Sequence, residues 1–286
     1  MSSGVTAADL AASAKLGRVG TRPPLFRYFS DAVKRIGFAL TMAKYTMQAS
    51  TAKSRFGIAL LVIVPALQIT VYGLIFGLIL GTSKPDHFLP FLITGIVLFQ
   101  FIAGSFSDGA KSIVSNSSLV RSLNFPRVLL PFSSVVSNIY KGAPLIGLML
   151  VADALLGEPI TWMWLLIIPI FALMMIFGFG LALIAARLTV SFDEVNQFIP
   201  FITRVAFYSS GVFFSIEKLA GDNSLVIALF DANPLYLFLK LARGSIVDGY
   251  SWVGTDWLVA SAWAFGTVIV GFIFFWLAEE RYGRNV

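Results

Sequence analysis

Six apolar runs, each about twenty residues or longer and none holding an aspartate or glutamate, leave this chain little choice of fold. The first, Phe56 to Leu80, has 25 residues without a charge. At about 1.5 Å per residue a helix of that length exceeds the roughly 30 Å hydrocarbon core of a bilayer. The others lie near 88–107, 128–152, 161–186, 198–216 and 257–278. Lipid offers no hydrogen bonds, so each run must satisfy its own backbone and is read as a helix. Charged residues make up 13% of the 286, about half the share usual in a soluble domain, which points to the same class. The expected fold is an all-α integral membrane protein with six transmembrane helices, its membrane domain covering residues 51–286.

The remaining segments have other roles. Residues 1–25, small and polar and ending at Pro23-Pro24, read as a disordered lead-in. Residues 26–50 carry apolar side chains at Phe26, Phe29, Val33, Ile36, Leu40, Ala43 and Met47, one stripe of a helix, with Arg27, Asp31, Lys34 and Arg35 opposite. Charge along its length bars it from spanning, so it is expected to lie in the interface, and the same pattern suits packing on a soluble partner. Between the fifth and sixth runs, Leu225–Phe230 and Leu235–Leu241 are each too short to cross and are split by Asp231-Ala232-Asn233-Pro234. They read as two re-entrant half-helices, or as one folded extramembrane loop. With both termini inside, the inner segments hold fifteen Lys/Arg and the outer ones four, which favours cytoplasmic termini and a plasma-membrane location. The polar, basic first 55 residues do not resemble a cleavable leader.

Several chemistries fit poorly. The chain has no cysteine and one histidine, His87, so no metal centre, cofactor or thiolate chemistry is expected. The +6 net charge lies beside apolar runs and reads as membrane topology rather than nucleic-acid binding. Gly104 to Ser112 looks like a phosphate-binding loop but is one residue out of register and ends a span. No nucleophile, base or carboxylate pair suggests an enzyme. The lack of carboxylates within the runs also argues against a proton-driven carrier, although a channel or carrier needing no partner remains the alternative. Lys141 and Arg204 sit inside runs, where they could pair structurally or meet an anionic substrate.

The stretch from Ser115 to Pro131 is longer than a simple turn requires. It contains a Ser/Asn cluster, Leu119 and Leu123 one helical turn apart, and an Asn124-Phe125-Pro126-Arg127 break. Two arginines, Arg121 and Arg127, flank a phenylalanine expected to be exposed. This reads as a short helix offered to another protein, or more simply as a solvated loop. With this loop, the amphipathic helix running into Lys53-Ser-Arg-Phe-Gly57, Pro65 in the first span, Ala186-Arg187 followed by Asp193-Glu194, and Asn233-Pro234-Leu235 with Arg243 nine residues on, the chain resembles the permease subunits of ABC-2 type exporters. Those proteins move O-antigen, capsule and teichoic-acid glycans, and within the group it is similar to the actinobacterial galactan exporters. The resemblance covers about residues 26–284. It departs at Ser209-Ser210-Gly211, where many relatives have Ser-Pro.

The resemblance implies a homodimer that docks two copies of a separate ATPase and moves a polyprenyl-pyrophosphate-linked polysaccharide. Coupling would use Ser118, Leu119, Arg121, Leu123, Asn124, Phe125 and Arg127, with Asp193 and Glu194 as a second contact. Asn233, Pro234 and Arg243 would belong to an outer gate, and Lys141 and Arg204 to the substrate path.

Overall fold

The computed structural model describes residues 22–52, 57–79, 81, 84–192, 194–216, 218 and 223–282. The expected lead-in up to residue 21, the Lys53–Phe56 junction and Asp193 lie outside them. The helices are α1 Leu25–Lys34, α2 Ile36–Ala52, α3 Gly57–Ile79, α4 Phe88–Lys111, α5 Ser117–Ser122, α6 Leu129–Leu155, α7 Ile167–Ser191, α8 Val195–Ser209, α9 Ser224–Asp231, α10 Pro234–Ile246 and α11 Gly254–Trp276. Short 3-10 turns precede α5 and α7.

Among the described residues, five helices are long and apolar enough to cross a membrane: α3, α4, α6, α7 with its 3-10 lead-in, and α11. Counting the α9–α10 pair, bent by 88°, as one span would make six. The fifth run departs from its expected extent of 198–216. α8 has 15 residues, roughly 22 Å of helix, and stops at Ser209. Gly211 (φ 67°) then turns the chain in the left-handed region that glycine enters without strain.

α4 is the central element, buried along most of Phe91–Ile102 and packed by α6 and α7. Helices in lipid gain little from hydrophobicity alone, so close approach through small residues matters. α7 and α11 make the most extensive pairing, through Gly180 and Gly271. A Cβ at Gly180 would lie 2.5 Å from the Thr267 carbonyl carbon. α3 is peripheral, leaving Leu67, Leu74 and Leu78 exposed.

The bundle has two distinct ends. The basal end collects α1, the α4–α6 connection and the chain after α11, because Tyr28, Arg127 and Glu279 meet there. At the apical end His87 Nδ1 lies 2.6 Å from Glu158, whose other carboxylate oxygen accepts the Asp248 N–H at 2.7 Å. Lys218 pairs with Asp86 at 2.8 Å. Lys218 precedes the bent pair and Asp248 follows it, so α9 and α10 enter and leave at the same end.

Candidate functional site

The expected coupling segment is helical and built in two layers. α4 runs past the predicted end of its span to Lys111, a 3-10 turn covers Val114–Asn116, and α5 follows. Asn116 directs its side-chain amide to the Ser112 carbonyl at 2.7 Å rather than capping α5. Val120, 2% exposed, anchors α5, which leaves Leu119 half-buried and Leu123 50% exposed. Ser118, Arg121 and Asn124 are also exposed.

Phe125 is not the exposed anchor that its flanking arginines suggested. It is 7% exposed, with its ring 5.5 Å from that of Phe38 on α2. Pro126 ends the loop, and an aromatic in this tight turn finds an apolar partner within the chain. Arg35, at the α1–α2 elbow, donates to the Asn124 carbonyl at 2.7 Å. The elbow therefore holds the loop from one side.

Glu279 holds it from the other side. Arg127 Nη1 lies 3.3 Å from Glu279 Oε1, and the Arg127 backbone N–H donates to the same oxygen at 3.2 Å. Tyr28 donates to Glu279 Oε2 at 2.8 Å and accepts from the Val128 N–H at 3.1 Å. One buried carboxylate thus gathers α1, the loop before α6 and the end of α11. Burial raises the Glu279 carboxyl above the ordinary glutamate range, although the Tyr28 hydrogen bond and Arg127 pull the other way. The Tyr28 hydroxyl is raised as well, first by burial and then by the charge of Glu279. Sequence reading missed both residues, since Glu279-Glu280-Arg281 reads only as the polar stop after a span. Glu194 is exposed at the start of α8 on the same end, where Ala110, Ala185 and Ile199 pack together.

The expected gate residues converge on the end of α8. Ending a helix frees its last carbonyls, and buried carbonyls need donors. Asn233 donates to the Ser209 carbonyl at 3.1 Å while its side-chain oxygen caps α10 at the Leu235 N–H, with Pro234 next in the first turn. Arg243, 2% exposed, donates to Gly211 O at 2.9 Å, Val212 O at 3.0 Å and Phe91 O at 3.2 Å. Its guanidinium also lies 3.4 Å from the Phe91 ring centroid. Room for it comes from Gly95, where a Cβ would stand 2.5 Å from Nη2. Arg243 is therefore a buried clamp between α4, α10 and the turn after α8.

The two intramembrane cations differ. Lys141 pairs with Asp108 at 3.3 Å and lines a groove of ≈ 340 Å³ between α3, α4 and α6, beside Gln100 and Asn138. Gln100 in turn donates to Gln68 of α3 at 2.5 Å. The spans are thus longer than drawn and do contain carboxylates: Asp108, Asp153 and Asp256, each within a terminal turn of its helix. Arg204 stands exposed on α8 with Phe201, Val205 and Tyr208 around it, and has no ion-pair partner among the described residues.

The ABC-2 type transporter family model matches residues 42–247, well over half of the chain. Over 186 residues the chain is 26% identical to the O-antigen export system permease protein RfbA of Klebsiella pneumoniae, covering 65% of this chain and 70% of that protein. The RfbA protein of the same name from Myxococcus xanthus is 24% identical over 213 residues, 74% of this chain and 80% of its own length. The polysialic acid transport protein KpsM of Escherichia coli is 24% identical over 238 residues, 80% of this chain and 88% of its own.

Proposed function

The chain belongs to the ABC-2 type transporter family, and from that premise we propose that it exports a polyprenyl-pyrophosphate-linked polysaccharide as half of a homodimer driven by two copies of a separate ATPase. ABC-2 permeases of polysaccharide export systems pair with an ATPase subunit, and their membrane domain has no nucleotide-binding site. A galactan is the polymer expected within this class.

The basal end is the proposed cytoplasmic face of the bacterial plasma membrane, in keeping with the Lys/Arg bias. The observation that carries the coupling reading is the contrast within one loop. Ser118, Arg121, Leu123 and Asn124 are exposed, while Phe125 and Arg127 brace them against α2 and the end of α11. A rigid base under an exposed polar and apolar tip suits a surface that receives force. Glu194, with Asp193, is the proposed second contact. Asn233, Pro234 and Arg243 are proposed to set the stiffness of the outer re-entrant pair, and Arg204 to meet the pyrophosphate, whose oxygens suit cationic donors, while Lys141 pairs structurally with Asp108.

The test is purification of the tagged permease co-expressed with its candidate ATPase, followed by ATP hydrolysis in nanodiscs with and without lipid-linked glycan. Stable capture and glycan-stimulated hydrolysis are expected. A permease that transports alone, with no ATPase captured, overturns the reading in favour of a carrier. The chain has no native cysteine, so single cysteines placed at Arg121 and Asp248 report topology directly. Labelling of Arg121→Cys from the cytoplasm and Asp248→Cys from outside is expected, and the reverse pattern overturns the orientation.

A further inference from the structure

The apolar stripe of α1 does not turn toward the bundle. Tyr28 and Ala32 are the buried residues of this helix, whereas Phe29 and Val33 remain about half exposed, at 57% and 50%. These two form one wall of an open groove of ≈ 400 Å³. The opposite walls are Phe132 of α6, Phe179 of α7, and Ile269 and Phe272 of α11. The α11 residues belong to its last two turns before Trp276, so the groove lies at the depth of the leaflet on the basal side.

The mouth of the groove is chemically different from its walls. Trp276 donates its indole N–H to the Pro23 carbonyl at 2.9 Å, and Arg22 stacks 4.1 Å from the Trp276 ring centroid. Arg27 follows on α1 but lies on its polar side with Asp31, opposite Phe29 and Val33, and faces away from the groove. A purely apolar slot beneath an interfacial tryptophan and the exposed Arg22 stacked on it matches a lipid with an acyl tail and an anionic head.

We propose that this groove is a binding site for one anionic phospholipid of the basal leaflet, its acyl chain lying between α1 and the α6–α7–α11 face and its phosphate held by Arg22. Bound there, the lipid fixes the angle of α1. Since Tyr28 of α1 holds Glu279, and Glu279 holds Arg127, lipid occupancy sets the rigidity of the coupling loop. The site is separate from the groove beside Lys141, which opens between α3, α4 and α6.

The test uses the full chain, with its ATPase where one is bound, in nanodiscs containing phosphatidylglycerol with a photoreactive diazirine near the middle of its acyl chain. Cross-linked peptides are mapped by mass spectrometry. Labelling concentrated on peptides carrying Phe29, Phe132 and Phe272 is expected, as is at least a tenfold loss of it in Val268→Trp, which fills the groove. In Arg22→Gln a several-fold loss of preference for phosphatidylglycerol over phosphatidylcholine is expected. Wild-type labelling spread evenly along the exposed face of α3 overturns the proposal without relying on any variant. Displacement of the probe by equimolar polyprenyl phosphate, but not by unlabelled phosphatidylglycerol, also overturns it and gives the groove to the transported lipid.

Discussion

Arg127 and Glu279 are 152 residues apart in sequence, yet they form a buried ion pair at 3.3 Å that joins the loop between α4 and α6 to the end of α11. Their side chains are only 16% and 5% exposed, so each charge has exchanged water for the other. Tyr28 completes the carboxylate's shell from a third segment.

Removing one partner should therefore be worse than removing both. Arg127→Met leaves a buried, uncompensated carboxylate, a change that typically costs about 3–5 kcal/mol. The double variant Arg127→Met/Glu279→Leu should recover part of this loss, read as Tm of the purified permease. The pH dependence has a definite sign. Burial raises the folded-state carboxyl of Glu279 above its ordinary 4.5, so the folded protein binds more protons than the unfolded chain above that pH. Stability from this group is greatest below about 4.5 and falls as pH rises through the raised value. Glu279→Gln should flatten that slope, and an unchanged slope would assign the pH dependence elsewhere.

Buried and exposed residues of the proposed coupling loop should fail in different ways. Phe125→Ala empties a packed site and should lower stability by about 3–5 kcal/mol, seen as reduced accumulation in the membrane. Arg121→Glu and Leu123→Ala alter exposed groups, so they should leave accumulation intact while reducing ATPase capture. Equal accumulation of Phe125→Ala and wild type, with ATPase capture lost, would return Phe125 to the docking surface.

The clamp at the end of α8 predicts a steep loss at Arg243. Lysine is a compact point charge and cannot span the carbonyls of Phe91, Gly211 and Val212 as a guanidinium does. Arg243→Lys and Gly95→Ala should each raise proteolytic cleavage of the 210–247 region, the first by losing donors and the second by displacing them. Cleavage at the wild-type rate in both would show that Arg243 does not clamp this region.

Lys141 and Arg204 should separate under substitution. Lys141→Met strips Asp108 of its partner, and Asp108→Asn in the same chain should restore accumulation. Among the described residues Arg204 has no ion pair to break, so Arg204→Met should accumulate normally and lose glycan-stimulated ATP hydrolysis, with Arg204→Lys retaining part of it. Normal export by Arg204→Met at equal protein level would exclude it from the substrate path.

The sequence by itself determined the class of fold, because uncharged runs longer than a bilayer's core admit only helices. It also determined the break at Asn233-Pro234, where a capping side chain and a residue without an N–H fix a helix start whatever surrounds them. It placed the loop from Ser115 to Pro131 as an element of its own. What it could not decide was which of that loop's residues face outward. Phe125 and Leu123 are both apolar, and only the presence of Phe38 across the elbow buries one and leaves the other exposed. Arg243 stands out in the sequence only through the resemblance, and its carbonyl partners follow from the shortened α8, which the sequence did not show. Local rules set helices and their ends, since those depend on neighbours in sequence. Ion pairs such as Lys141–Asp108 and Arg127–Glu279 depend on which helices pack together, and that packing is decided at glycines such as Gly180 and Gly271, whose partners lie far away in the chain.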